Sequence, residues 1–346
     1  MKAAVLHAIN DLRVESIPRP SPGPGEVLLR IGSCGICGSD LPRVFTKGTY
    51  TFPTVCGHEF AGTVVALGAG ADLAIGTAVT VFPLLWCGRC QECERGEYAR
   101  CHDYDYLGSR SDGGFAEYVV APQRNCLPLP AGVSLEEGAL TEPAAVALHA
   151  VKRAGLKAGE TVAVFGAGPI GLLVAQWARA LGAVRVLIFD IATQNLQLAR
   201  SLGFSEVFDS TVTDPQQQVE ELTNGRGADV TIEAAGVAAT FTAAVSTAAA
   251  GGRVVMLGNP SGAVTLSAQL ISRMMRRELA LIGTWNSSYS VTGLADDWRT
   301  VLAAVAAGTI KLQPLITHRF GLDDILSGLH LLKERREFVS KVLINP

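Results

Sequence analysis

Between Thr161 and Leu257 short apolar runs alternate with stretches of helical period, and this confines that part of the chain to a parallel sheet covered by helices. Thr161 to Phe165, Val184 to Phe189, Asp229 to Ala234 and Arg253 to Leu257 read as strands. Ile170 to Leu181, Gln194 to Leu202 and Ala239 to Ala249 read as the helices between them. The first strand runs into Gly166-Ala167-Gly168-Pro169-Ile170-Gly171, a G-x-G-x-x-G turn. Gly166 permits the tight turn, Gly168 lets backbone approach a pyrophosphate, and Gly171 allows close packing of helix on strand, while Pro169 suits the first helical turn. The N-terminus of that helix offers unpaired N–H groups and positive dipole to a phosphate. The second strand ends at Asp190, about 20 residues on, where an acid can bind both ribose hydroxyls. An acid there repels a 2′-phosphate, and Ile191-Ala192-Thr193 offers no arginine to receive one, so NAD is expected in preference to NADP.

Upstream the texture differs. Residues 1 to about 145 carry short alternating runs, among them Val27-Leu28-Leu29-Arg30-Ile31 and Thr63-Val64-Val65-Ala66-Leu67, broken by Gly and Pro as in the loop from Pro18 to Gly25. This part is expected to be mostly β. After Trp285 the alternation stops. Helices are expected around Asp296 to Ala307 and Asp323 to Lys333, followed by a strand from Lys341 to Ile344 that returns to the first domain. With 346 residues, 48% of them hydrophobic, the chain can bury two sizeable cores. A net charge of -3 and no long basic run give nucleic acid or an anionic membrane little to hold. No uncharged stretch approaches the roughly 20 apolar residues that span a bilayer. The opening MKAAVLHAIND lacks the apolar region of a signal peptide, so a soluble, cytoplasmic protein is expected.

Eight cysteines in such a chain point to metal rather than to disulfides. Cys87, Cys90, Cys93 and Cys101 lie close together in a polar, glycine-containing loop, with the spacing of a closed all-sulfur zinc tetrahedron. Such a site has no open position; it staples a lobe. A second set, Cys37 with Gly57-His58-Glu59 and Glu142, offers sulfur, nitrogen and oxygen donors together. His58 and Glu59 are adjacent, so on a regular strand they would point to opposite faces. Both can reach one ion only if the backbone is irregular there, which Gly57 and Gly62 permit. By itself the pair fits a polar surface or core as well as a metal. Cys34, Cys56 and Cys126 are left as small core residues.

In order along the chain, Gly35-Ile36-Cys37-Gly38-Ser39-Asp40, Gly57-His58-Glu59-Phe60-Ala61-Gly62 with Gly68, the cysteine block, Glu142-Pro143 and the nucleotide turn resemble the zinc-dependent medium-chain dehydrogenase/reductase family. The resemblance covers nearly the whole length and implies an α/β protein. A GroES-like β-rich catalytic domain would span 1–148 and 286–346, with a structural zinc lobe at about 86–102. A Rossmann doubly wound parallel-sheet domain that binds NAD would span 149–285, with the active site in the cleft between the two. Glu142-Pro143, where many alcohol dehydrogenases carry a second cysteine, resembles the polyol branch of sorbitol and related sugar-alcohol dehydrogenases.

By that resemblance Cys37, His58 and Glu59 or Glu142 bind a catalytic zinc, the two carboxylates alternating, and a second zinc sits on the cysteine block. The implied chemistry is a zinc-assisted loss of the proton from a secondary alcohol, followed by hydride transfer to NAD. Ser39 matches the proton-relay hydroxyl, with the capping of a helix near Asp40 as its alternative. Asp40 is a cap or a partner that orients a ligand. Leu257 and Gly258 fall on the nicotinamide side, and Trp285 in the cleft or the core. The expected substrate is a small-molecule polyol or polyol phosphate, for which Arg43, Lys47 and Arg110 are cationic candidates against the alternative of a solvated positive surface. Another secondary alcohol, such as threonine or a diol, and a catalytically silent nucleotide-binding protein are the competing functions. A homodimer or homotetramer paired through an edge strand near Gly283 would suit the family.

Overall fold

Every second residue of Glu26–Gly35 and of Glu59–Leu67 is apolar or small, and these runs form neighbouring antiparallel strands at the centre of a seven-stranded sheet. In the computed structural model, which describes residues 1–292 and 296–346, this sheet belongs to the unit formed by Met1–Pro143 and Ser288–Pro346. Cys126–Pro128 and Ala78–Val81 continue the sheet beyond Glu59–Leu67, while Tyr118–Pro122 pairs with the first half of Glu26–Gly35. The terminal strand Lys341–Asn345 pairs antiparallel with the end of Glu26–Gly35, placing Leu343 opposite Gly35 and Ile344 opposite Cys34. On the other side of that pairing, Gly35 stands opposite Glu59. The last residues of the chain thus meet the motif around His58 across a single intervening strand. The core beneath is built from Leu6, Leu29, Ile31, Val64, Val79 and Phe115, all buried.

The backbone does break at the His58-Glu59 pair. Gly57 has φ +93°, a conformation that side-chain-bearing residues rarely adopt, and a Cβ there would lie 2.7 Å from the Phe115 ring and 2.8 Å from Cys34 Sγ. The strand begins only at Glu59, so His58 is freed from the alternation that would have turned it away. Register also shifts between Ile31 and Ser33, opposite Gly62 and Ala61.

The second unit, Ala144–Ser287, carries a six-stranded parallel sheet. Its strands are β1 (Thr161–Phe165), β2 (Arg185–Asp190), β3 (Val207–Asp209), β4 (Ala228–Glu233), β5 (Ala248–Met256) and β6 (Ala280–Gly283). They lie in the order 3-2-1-4-5-6, the doubly wound arrangement of a dinucleotide-binding fold. Phe165, Phe189 and Phe208 on β1, β2 and β3 stack in turn, with centroids 5.2 and 5.3 Å apart. The edge strand expected near Gly283 is β6, whereas the sequence reading assigned neither β3 nor the helices Pro215–Leu222 and Ala268–Arg276. No helix among the described residues is long and apolar enough to cross a membrane.

Candidate metal centre

The four-cysteine block folds around its own sulfurs. A one-turn helix, Gln91–Glu94, follows Cys90, and a short 3-10 turn, Tyr98–Arg100, delivers Cys101. The Sγ atoms of Cys90 and Cys93 are 3.5 Å apart, those of Cys90 and Cys101 3.9 Å, and those of Cys87 and Cys93 4.0 Å. A tetrahedron with Zn–S bonds of about 2.3 Å has edges of about 3.8 Å. These separations bracket that value and far exceed the roughly 2 Å of a disulfide. The backbone N–H of Cys87 also points at Cys101 Sγ, 3.2 Å away, as an amide does toward a thiolate ligand. Trp86 stacks on Tyr98 at 4.2 Å and has the Arg124 guanidinium over its ring, which anchors the lobe to the rest of its unit.

The second cluster gathers residues far apart in sequence. Ligand atoms of Cys37, His58 and Glu59 all lie within 4.8 Å of one another, and His58 and Glu59 are 4% and 1% exposed. Glu142, in the first turn of the helix Thr141–Arg153, is buried outside that trio and accepts the Tyr106 hydroxyl at 3.2 Å. Burial, only partly offset by His58, pushes the Glu142 carboxyl up to about 7, the direction that a bound cation would reverse. Sulfur, imidazole and carboxylate together are a zinc-type donor set, so the residues fit the ion.

Around the trio is a shell of charge. Asp40 is fully buried; its Oδ2 accepts the Cys37 N–H at 2.9 Å, its Oδ1 accepts Arg43 Nη1 at 3.0 Å, and His58 Nδ1 is 3.6 Å from Oδ1. Burial alone would raise the Asp40 carboxyl, but His58 and Arg43 beside it hold it below its ordinary value. Ser39 makes no capping hydrogen bond to the short helix Asp40–Pro42; its Oγ accepts Arg43 Nη1 at 2.9 Å. Arg43 therefore has two partners inside the cluster. Arg110 lies instead between the rings of Tyr50 and Tyr104, and Lys47 is exposed.

Sequence reasoning missed Lys341. It is 5% exposed, and its ammonium donates to both oxygens of Glu59, at 2.8 and 2.7 Å, and to the Ile36 carbonyl at 3.3 Å. Gly35 makes this contact possible, because a Cβ on it would lie 2.2 Å from Glu59 Oε2. Tyr106, whose hydroxyl donates to Glu142, is the other unforeseen partner. The one local signal was a lysine at the head of an otherwise apolar strand.

In the second unit, Gly166 has φ +104°, and a Cβ on Gly171 would strike the Gly166 carbonyl at 1.8 Å. Gly168 caps the helix Pro169–Ala180, with Pro169 in its first turn. The Asp190 carboxylate accepts N–H groups from Ala167 in the glycine turn at 2.5 Å and Ala192 at 2.7 Å, and the Asn195 amide at 3.2 Å. Leu257 and Gly258 donate their N–H groups to the Glu233 carbonyl. Trp285 is 60% exposed, so its core alternative is set aside.

The alcohol dehydrogenase GroES-like domain family matches residues 23–131, and the zinc-binding dehydrogenase family matches residues 169–307. Galactitol 1-phosphate 5-dehydrogenase of Escherichia coli (strain K12) is 37% identical, with 100% of each chain covered. Sorbitol dehydrogenase of Bacillus subtilis (strain 168) is 31% identical over 100% of this chain and 97% of its own. The crystal structure of galactitol-1-phosphate dehydrogenase from Escherichia coli superposes with TM-score 0.93 at 37% identity over 100% of both chains. A Sinorhizobium meliloti 1021 structure titled as a zinc-binding dehydrogenase bound to NADP does so with TM-score 0.89 at 33% identity, covering 100% of this chain and 99% of that one.

Proposed function

Because the chain belongs to the zinc-dependent medium-chain dehydrogenase/reductase family, in its polyol dehydrogenase branch, we propose that it oxidises a secondary carbinol of a polyol phosphate, of the galactitol 1-phosphate kind, to the ketone with NAD. The observation that carries the reading is the buried trio Cys37, His58 and Glu59 with Glu142 beside it, a donor set that suits zinc. Bound zinc supplies Lewis acidity at the carbinol oxygen, and NAD supplies the hydride acceptor.

The chain's own residues do the rest. Cys37, His58 and one of Glu59 or Glu142 would hold the catalytic ion, and Cys87, Cys90, Cys93 and Cys101 the architectural one. Asp40 orients His58 and the Cys37 backbone. Lys341 neutralises Glu59, and the Tyr106 hydroxyl holds Glu142. Ser39 Oγ accepts the carbinol proton as its own hydroxyl proton passes to solvent water, while the hydrogen bond from Arg43 Nη1 fixes where that oxygen points. Gly166, Gly168, Pro169, Ile170 and Gly171 bind the pyrophosphate at a helix N-terminus, and Asp190 binds the ribose. Leu257 and Gly258 line the nicotinamide side, and Trp285 presents an exposed ring for the substrate.

Pairing of β6 with its copy across a two-fold would make a homodimer, and through it a homotetramer; in support, β6 ends the sheet with Leu281 exposed, and Ala268–Arg276 buries none of its residues. A cytoplasmic location accords with this chemistry.

Rates of NAD reduction by the zinc-loaded protein with galactitol 1-phosphate, galactitol and sorbitol test the substrate. The reading predicts the highest kcat/KM for the phosphate, and activity confined to an unrelated secondary alcohol would defeat it. Asp190→Ala is expected to lower the NAD over NADP preference roughly 10- to 100-fold, the effect of losing charged hydrogen bonds to the ribose. An unchanged ratio of the two kcat/KM values would remove Asp190 from the cofactor site.

A further inference from the structure

We infer that Arg110 recognises the phosphate of the substrate, an inference that rests on the polyol dehydrogenase reading and narrows its substrate class. The Arg110 guanidinium carbon lies 4.1 Å from the centroid of the Tyr50 ring and 4.3 Å from that of Tyr104. Held between two rings, the planar group loses the freedom that makes a surface arginine a costly binder. These ring contacts engage the guanidinium carbon and do not use its N–H donors, which lie around the edge of the group. Among the described residues, no side chain or carbonyl accepts from those donors. A fixed fork with unused donors is built for a tetrahedral oxyanion, which it can grip through two parallel hydrogen bonds.

The other cationic candidates are placed differently. Arg43 is committed to Asp40 and Ser39 at 3.0 and 2.9 Å. Lys47, at the end of the π-helical turn Arg43–Lys47, is an exposed point charge with no ring or acceptor to fix it among the described residues.

Arg110 is also connected to the metal cluster. Tyr104 stands edge-on to Tyr106 at 6.4 Å, and Tyr106 stands edge-on to His58 at 5.9 Å. A continuous run of rings therefore leads from the arginine, beside the exposed Tyr50, to the buried imidazole. A ligand engaging both ends must be an extended chain with its anionic group several carbons from the reacting carbinol. A polyol phosphorylated at its terminus has that form; a short diol or a free amino acid does not.

The test compares kcat/KM for galactitol 1-phosphate and galactitol in the zinc-loaded wild type, Arg110→Gln and Arg110→Lys, with zinc content and NADH binding as checks on the fold. The wild type is expected to prefer the phosphate, and Arg110→Gln to reduce the ratio of the two constants roughly 10- to 100-fold, as for a lost charge-assisted contact. Arg110→Lys, which keeps the charge without the fork, is expected to reduce it less. A wild type that prefers the phosphate with an unaltered ratio in both variants overturns the role of Arg110 and leaves the substrate reading standing. Parallel losses on both substrates also leave the ratio unaltered and make Arg110 a packing residue. A wild type without preference for the phosphate overturns both.

Discussion

Cys37→Ser is expected to lower kcat with every polyol by about three orders of magnitude or more, while the Kd for NADH changes by less than about threefold. The substitution is nearly isosteric, so Asp40 keeps its hydrogen bond from the backbone of residue 37 and His58 keeps its neighbours. What disappears is the anionic sulfur. A serine hydroxyl stays protonated at neutral pH and is a poor zinc ligand, whereas a thiol beside a cation ionises readily. Nucleotide binding should survive because Gly166 to Gly171 and Asp190 lie in the other unit, which has a core of its own around Phe165, Phe189 and Val254. Stopped-flow turnover and NADH fluorescence titration on the same preparation separate the two effects. Turnover near the wild-type rate would show that Cys37 does not hold the catalytic ion.

Lys341→Met is expected to destabilise the catalytic unit by about 3–5 kcal/mol. Methionine fills the space, but the Glu59 carboxylate, 1% exposed, would lose the donor to both of its oxygens. The cost is therefore an uncompensated buried charge rather than a cavity. Adding Glu59→Gln should recover much of the loss, since the second substitution removes the charge that the first leaves stranded. Urea unfolding of the wild type, both single variants and the double variant gives the coupling. Additive single effects would mean that the pair contributes through packing alone.

How much of this was legible beforehand follows from the range of each signal. The nucleotide unit declared itself because short apolar runs alternate there with helical stretches and its turn needs glycine at fixed positions: Gly166 for its positive φ and Gly171 for its approach to a carbonyl. The cysteine lobe was equally clear, since its four ligands lie within one short loop. By contrast β3 has three residues and β6 four, too few for a periodic signal, and the nine-residue Ala268–Arg276 only half-buries Leu270 and Met274 against the core while Ile271 and Met275 stay exposed. At the metal cluster, Cys37, His58, Glu59 and Glu142 were picked out by resemblance, but the partner of Glu59 was not. Lys341 reaches it only through the pairing of Leu343 with Gly35 and of Gly35 with Glu59, a relation between three strands that no local pattern encodes. Arg43 and Arg110 looked interchangeable as cations in the sequence. Their difference arises from three-dimensional neighbours, a carboxylate and a hydroxyl for one and two aromatic rings for the other.

Zinc content per chain, followed against the rate of NAD reduction with galactitol 1-phosphate through a chelator titration, tests most directly whether one centre is chemical and the other architectural. The account predicts two zinc ions per chain at the start. Activity should then fall in proportion to loss of the first ion while the circular dichroism stays native, and the second should leave only as the lobe around Cys87, Cys90, Cys93 and Cys101 unfolds. Full activity in protein stripped of both ions, or a single ion per chain in active enzyme, would contradict it.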